Sequence, residues 1–233
     1  MPRNMQSQEA ASSEFTLKAW AWLEANIKRI VVATGILAIL VFGFSFFSYQ
    51  KQQKQVLAGQ ALTDATMSLT PNSTPAQIVD AYLNFAAAHP GTLAGKRATL
   101  QAATALFIGG KYPEAQAQFQ KYLDAYPFDA LTGQALIGLA SSLEAQNNLP
   151  SAILAYQKAI SSSDETSAVC AKFSLARIYE SQGKSDEARN LYTDILRTNP
   201  NSSLANDASL RLMQLGAAST NSAKAVTPAS NTK

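Results

Sequence analysis

The polar and apolar positions of this chain follow two different rhythms. From Ile30 to Tyr49 the sequence reads IVVATGILAILVFGFSFFSY, with no charged residue. Twenty residues of helix rise about 30 Å, the thickness of a bilayer's hydrocarbon core. Lys28 and Arg29 precede the run and Lys51 and Lys54 follow it, where basic side chains reach headgroups. The pattern predicts a transmembrane helix over 30–49. Ahead of it Phe15, Ala19, Trp22 and Leu23 fall on one side of a helix, with Trp20 beside them, and indoles favour the membrane interface. An interfacial helix of its own and a plain continuation of the span both fit that stretch.

Past Gln55 the pattern becomes a repeat. Aromatic residues recur at Tyr82, Phe119, Tyr156 and Tyr192, at intervals of 37, 37 and 36. Prolines recur at Pro90, Pro127 and Pro200, with Asp164 in register for the absent one. Alanines stand four residues before the aromatic at Ala115, Ala152 and Ala188, and Ile78 holds that place in the first copy. A period of this length means stacked supersecondary units.

Each copy splits into two helical stretches. In the last, Ala168 to Gln182 is one helix, Gly183-Lys-Ser the turn, and Asp186 to Thr198 the second. Asp186 and Glu187 suit the positive first turn of that second helix, and Arg197 suits its negative end. Ala103, Ala140 and Ala176 fall midway along the first helices, the other alanines early in the second. Small residues at both places let a helical hairpin close tightly, while the aromatic one turn later fills the gap to the neighbouring unit.

The spacing from Leu175-Ala176 through Tyr179, Gly183, Ala188 and Tyr192 to Pro200 closely resembles the tetratricopeptide repeat. Gly110-Lys-Tyr-Pro-Glu-Ala-Gln-Ala-Gln-Phe119 with Pro127 resembles it as well. The middle copy departs at Asn147-Asn148 and Asp164, and the first lacks the second-helix alanine and carries a loop from Pro71 to Pro75. The whole layout, a Trp-Leu-Glu-Ala-Asn-x-Lys run into one span and then a small repeat domain, resembles the YfgM-like family, ancillary subunits of the SecYEG translocon.

The expected fold is therefore all-α: an N-terminal transmembrane helix, then a tetratricopeptide-like solenoid of about 3–4 hairpins with a capping helix from Ser203 to Leu215. The expected divisions are a cytoplasmic and juxtamembrane segment at 1–29, the span at 30–49, the repeat domain at 55–216 and a disordered Ala/Ser/Thr/Asn-rich tail at 217–233.

If the family geometry holds, the first helices line a groove. Its residues would be Arg97, Leu100, Thr104 and Phe107, then Gln134, Ile137, Ser141 and Glu144, then Phe173, Arg177 and Glu180. Apolar Leu100, Ile137 and Phe173 stand where carboxylate-gripping relatives place a basic residue, so an amphipathic helix or extended segment suits the groove better. Some of these apolar side chains also fit plain packing between repeats.

Composition narrows the function. The net charge of +3 comes from scattered Lys and Arg among acids, which argues against a nucleic-acid partner. The lone Cys170 permits no intrachain disulfide and sits among small apolar residues. His89, the only histidine, precedes Pro90 at a helix end and suits a capping or surface role rather than that of a base or ligand. Histidine-based triads, metal-spaced Cys/His sets and phosphate-binding Gly-rich loops are not supplied, so no catalysis, cofactor, metal or small-molecule substrate is expected.

Four cations before the span (Arg3, Lys18, Lys28, Arg29) against two after it place the N-terminus in the cytoplasm. The Gln50–Gln55 polar run parts the apolar core from any small-residue cleavage site, favouring an uncleaved anchor. The reading is thus a single-pass protein of the bacterial inner membrane, its repeats on the periplasmic side. Its partners would be translocon subunits and exported clients; the alternative is an envelope-assembly or cell-division scaffold binding envelope proteins.

Overall fold

The computed structural model describes the backbone at residues 3–69, 73–162 and 164–225, with side chains from Lys18 to Ala217 except at 19, 30, 70–72 and 163. The side chains of Phe15 and Ala19, together with Pro71 and the tail from 226, lie outside the described residues. Among those residues there are nine helices and no strand: α1 (Arg3–Ser68), α2 (Pro75–Ala88), α3 (Leu93–Ile108), α4 (Tyr112–Ala125), α5 (Thr132–Ala145), α6 (Leu149–Ile160), α7 (Glu165–Ser181), α8 (Ser185–Thr198) and α9 (Ser203–Ala225).

The chain divides into a unit reaching to Leu57 and a second from Ala58. The first consists of α1 up to that point. Val31–Ser68 of α1 is the one helical segment among the described residues long and apolar enough to cross a membrane; its most apolar stretch has a mean hydropathy of 2.3 and none of that stretch is buried. Trp20 and Trp22 are exposed beside it.

The second unit begins with the last turns of α1. Ala58 is buried in one cluster with Phe85, Ala94 and Ala98, and Ala61, Leu62 and Ala65 pack against it. From α2 onward each helix packs on the next. In addition α3 packs on α5, α5 on α7 and α7 on α9, whereas α4, α6 and α8 touch only the helices before and after them. The first helices of the hairpins thus form a continuous inner layer and the second helices an outer one, the arrangement of a helical-repeat solenoid.

The recurring residues make this layering possible. Ala103, Ala140 and Ala176 on the inner layer and Ala115, Ala152 and Ala188 on the outer are all fully buried. Phe119, Tyr156 and Tyr192, one turn on, are buried as well. An alanine here adds no bulk and little side-chain entropy cost, so paired helices approach closely.

The turns inside the hairpins repeat too. Gly110, Asn147 and Gly183 all have positive φ, at 74°, 61° and 72°. In each the following amide donates back to the inner helix: Lys111 N to Leu106 O, Asn148 N to Leu143 O and Lys184 N to Tyr179 O, all 2.9 Å. This satisfies carbonyls left open at the helix end. Asn147 stands where the other copies have glycine because Asn tolerates the left-handed region best among residues with a side chain.

Asp164, in the place of the absent proline, caps α7: its carboxylate accepts from Thr166 N at 3.2 Å and from the Ser167 hydroxyl. The acids Asp186 and Glu187 lie in the first turn of α8 and Arg197 in its last. His89 caps α2, its amide donating to Phe85 O at 3.0 Å. α9 continues to Ala225, past Gly216, where the repeat domain was expected to end. Alanines at 217, 218, 223 and 225 carry the strongest helix propensity.

Candidate functional site

The inner layer is the surface on which the groove residues were placed. Four of them meet at one cavity of about 560 Å³, between α2, α3 and the start of α5: Arg97, Leu100, Thr104 and Gln134. Leu100 is buried at its floor, and Arg97, Thr104 and Gln134 are exposed around it. The remaining wall was not foreseen. Pro75, Ile78 and Tyr82 of α2 supply one side, and Gln101 and the largely exposed Ile108 the other.

A signal for that wall was present in the sequence. Ile78 stands in the alanine register of the first copy, and its bulkier side chain lines the cavity beside α3. Local caps fix the helix start that carries it. Thr74 and Gln77 form a capping box, with Thr74 N donating to Gln77 Oε1 at 2.8 Å and Gln77 N to Thr74 Oγ1 at 3.3 Å, followed by Pro75 in the first turn.

Phe173 and Arg177 line a different cavity of about 440 Å³ with Asp207, Leu210, Arg211 and Gln214, between α7 and α9. The two cavities share no lining residue. The other expected groove residues are engaged internally. Phe107 packs on Tyr112 with ring centroids 5.3 Å apart, and Ile137 lies against the main core. The Tyr156 hydroxyl donates to Glu144 Oε2 at 2.8 Å and is 3.1 Å from Ser141 Oγ. Burial, with the Glu144 charge beside it, pushes Tyr156 up to about 12. Glu180 pairs with Arg211 at 3.6 Å.

The electrostatics below the inner layer are structural. Lys96 Nζ reaches Asp129 Oδ2 at 2.5 Å and lies 4.7 Å from the centroid of the Tyr126 ring. Tyr122 Oη donates to Asp129 Oδ1 at 2.7 Å and Leu131 N to the same atom at 3.0 Å. Burial alone would raise Asp129, but the Lys96, Leu131 and Tyr122 hydrogen bonds outweigh it and hold its carboxyl below the usual value. Burial and the nearby Asp164 raise the Cys170 thiol, which favours the protonated, unreactive form. Among the described residues no group of three His, Cys, Asp or Glu is placed to hold a metal ion.

Two layers of hairpins with small residues at the crossings and left-handed turns in register define the repeat class. Residues 20–161 match the tetratricopeptide repeat-like domain family. The chain belongs to that family. Residues 173–204 match the tetratricopeptide repeat as well, so α7 and α8 continue the array. No curated protein matches the chain. Tetratricopeptide repeat-like domains indicate a protein–protein interaction module.

Proposed function

We propose that this tetratricopeptide repeat-like chain is a membrane-anchored interaction module, an ancillary translocon-associated or periplasmic chaperone-like factor. The carrying observation is the extent of the family match. It begins at Trp20, ahead of the apolar segment, and runs through the first repeats. A juxtamembrane stretch, a long apolar helix and a repeat array therefore belong to one family pattern.

In this reading residues 1–29 lie in the cytoplasm, 30–49 span the bacterial inner membrane and 55–216 stand on the periplasmic side. A module tethered this way meets partners near the bilayer at raised effective concentration. Chains emerging from a translocon expose apolar segments there, and the inner-layer cavities combine apolar and polar walls that suit them.

Chemical crosslinking in intact membranes, mild solubilisation and mass spectrometry of the captured proteins test the proposal. Translocon subunits and exported chains are the expected catch. Wall-synthesis or division proteins without the translocon would replace this reading with the envelope-scaffold one.

A further inference from the structure

The cavity between α2 and α3 has a one-sided chemistry. Its apolar wall is built from Ile78, Tyr82, Leu100 and Ile108. Ile108 is 80% exposed at the rim, while Leu100 at the floor is 2% exposed. An isoleucine this open beside a buried leucine offers apolar area that a bound apolar side chain would cover.

Arg97 is the only charged residue in the lining, and no carboxylate lines the cavity among the described residues. Arg97 is exposed and makes no ion pair among them, unlike Lys96 one residue before, which is held by Asp129. A cation left unpaired beside an apolar wall attracts an anionic group that arrives with an apolar one, and it repels a basic segment. The exposed amides of Gln101 and Gln134 on the same rim can donate to and accept from a peptide backbone. The volume of about 560 Å³ lies within the roughly 300–1,000 Å³ of ligand-sized clefts. It has room for one or two large side chains and not for a folded domain.

We propose that this cavity is the anchor site for a partner-protein segment carrying a carboxylate about one helical turn from a bulky apolar side chain. The apolar side chain packs on Ile78, Leu100 and Ile108, and the carboxylate pairs with Arg97. The inference rests on the reading of the repeats as a protein-binding module and deepens it, by stating what the bound segment must contain and where it sits. The α7–α9 cavity is different in kind, because there Asp207 accompanies Arg177 and Arg211. It carries no such one-sided preference.

The test uses the full chain in detergent micelles and three fluorescein-labelled amphipathic peptides. They are identical except for one residue a helical turn from a leucine, which is Glu, Gln or Lys. In fluorescence anisotropy the Glu peptide should bind saturably, the Gln peptide about tenfold more weakly and the Lys peptide more weakly still. The Glu preference should shrink as salt screens it. Arg97→Gln should erase the difference between the Glu and Gln peptides and leave their shared affinity. Ile108→Asp should weaken all three. Both sites are exposed, so unchanged thermal midpoints should accompany these effects.

Equal binding of the three peptides, absence of saturable binding, or a Glu preference that survives Arg97→Gln overturns the proposal. If that preference survives Arg97→Gln but vanishes with Arg177→Gln, the repeats bind proteins at the α7–α9 cavity and only the site assignment fails. If no peptide binds and membrane crosslinking also captures no protein, the interaction reading fails with it. An Ile108-dependent dimer in sedimentation velocity makes a second copy of the chain the occupant and likewise overturns the proposal.

Discussion

The ring of Phe119 occupies the space where residue 138 would carry a Cβ atom. Built on Gly138, that atom would stand 2.3 Å from Phe119 Cε1 and Cζ. The missing side chain lets α4 press its aromatic onto α5 and join one hairpin to the next. Gly138→Ala gains about 1 kcal/mol of helix propensity. It also forces a rigid ring out of a filled core, and overpacking of this kind costs on the order of 1–3 kcal/mol. The ring must shift within a buried site, so the net expectation is a loss. Chemical denaturation in detergent measures it, and an unchanged or raised midpoint would show that the ring can step aside.

The Asp129 network predicts a pH signature. Its carboxyl has a folded pKa below the ordinary 3.8, so its stabilisation is complete above that value and disappears as pH falls through the lower folded one. Asp129→Asn should cost about 1–3 kcal/mol near neutral pH, as expected for hydrogen bonds to a charged group in a half-sheltered site. Below the folded pKa the parent also carries a neutral side chain at 129, and the two proteins should converge. A stability gap that stays constant from neutral to acid pH would mean that the ion pair contributes nothing.

Asn147 separates a backbone role from a side-chain one. With φ at 61°, Asn147→Gly should be neutral or slightly stabilising. Asn147→Val should cost about 1–2 kcal/mol, because a β-branched residue is strained in the left-handed region. Equal midpoints for the two variants would deny that the turn holds this conformation in solution.

For the anchor, Leu40→Arg places a charge near the middle of the apolar run. The apparent insertion cost is about 2.5–3.5 kcal/mol, and a larger soluble or degraded fraction should follow on membrane fractionation. Wild-type partitioning of that variant would argue that 30–49 does not span the bilayer.

Much of the fold could be read in the sequence because tetratricopeptide packing writes itself at fixed intervals. Ala140 and Ala152, or Ala176 and Ala188, are small for one local reason in each copy, and the period displays that reason repeatedly. The groove was less legible. Tyr156 stands where the preceding copy has Phe119, and its buried hydroxyl must find partners. It takes Ser141 and Glu144, which a uniform repeat pattern assigns to the open surface. The Lys96–Asp129 pair joins residues 33 apart in sequence and belongs to no repeat position, so no periodicity reveals it. Gly138 reads in sequence as a helix-weakening residue, and only the Phe119 ring beside it explains its presence.

The most direct measurement is photocrosslinking in living cells from single sites on the full chain. A photoreactive phenylalanine replaces Gln101 on the inner layer in one strain and exposed Gln157 on the outer layer in another. A module that binds proteins through its inner helices should give discrete protein adducts from position 101 and few from 157. Matching adduct patterns from the two positions, or none from either, would contradict it.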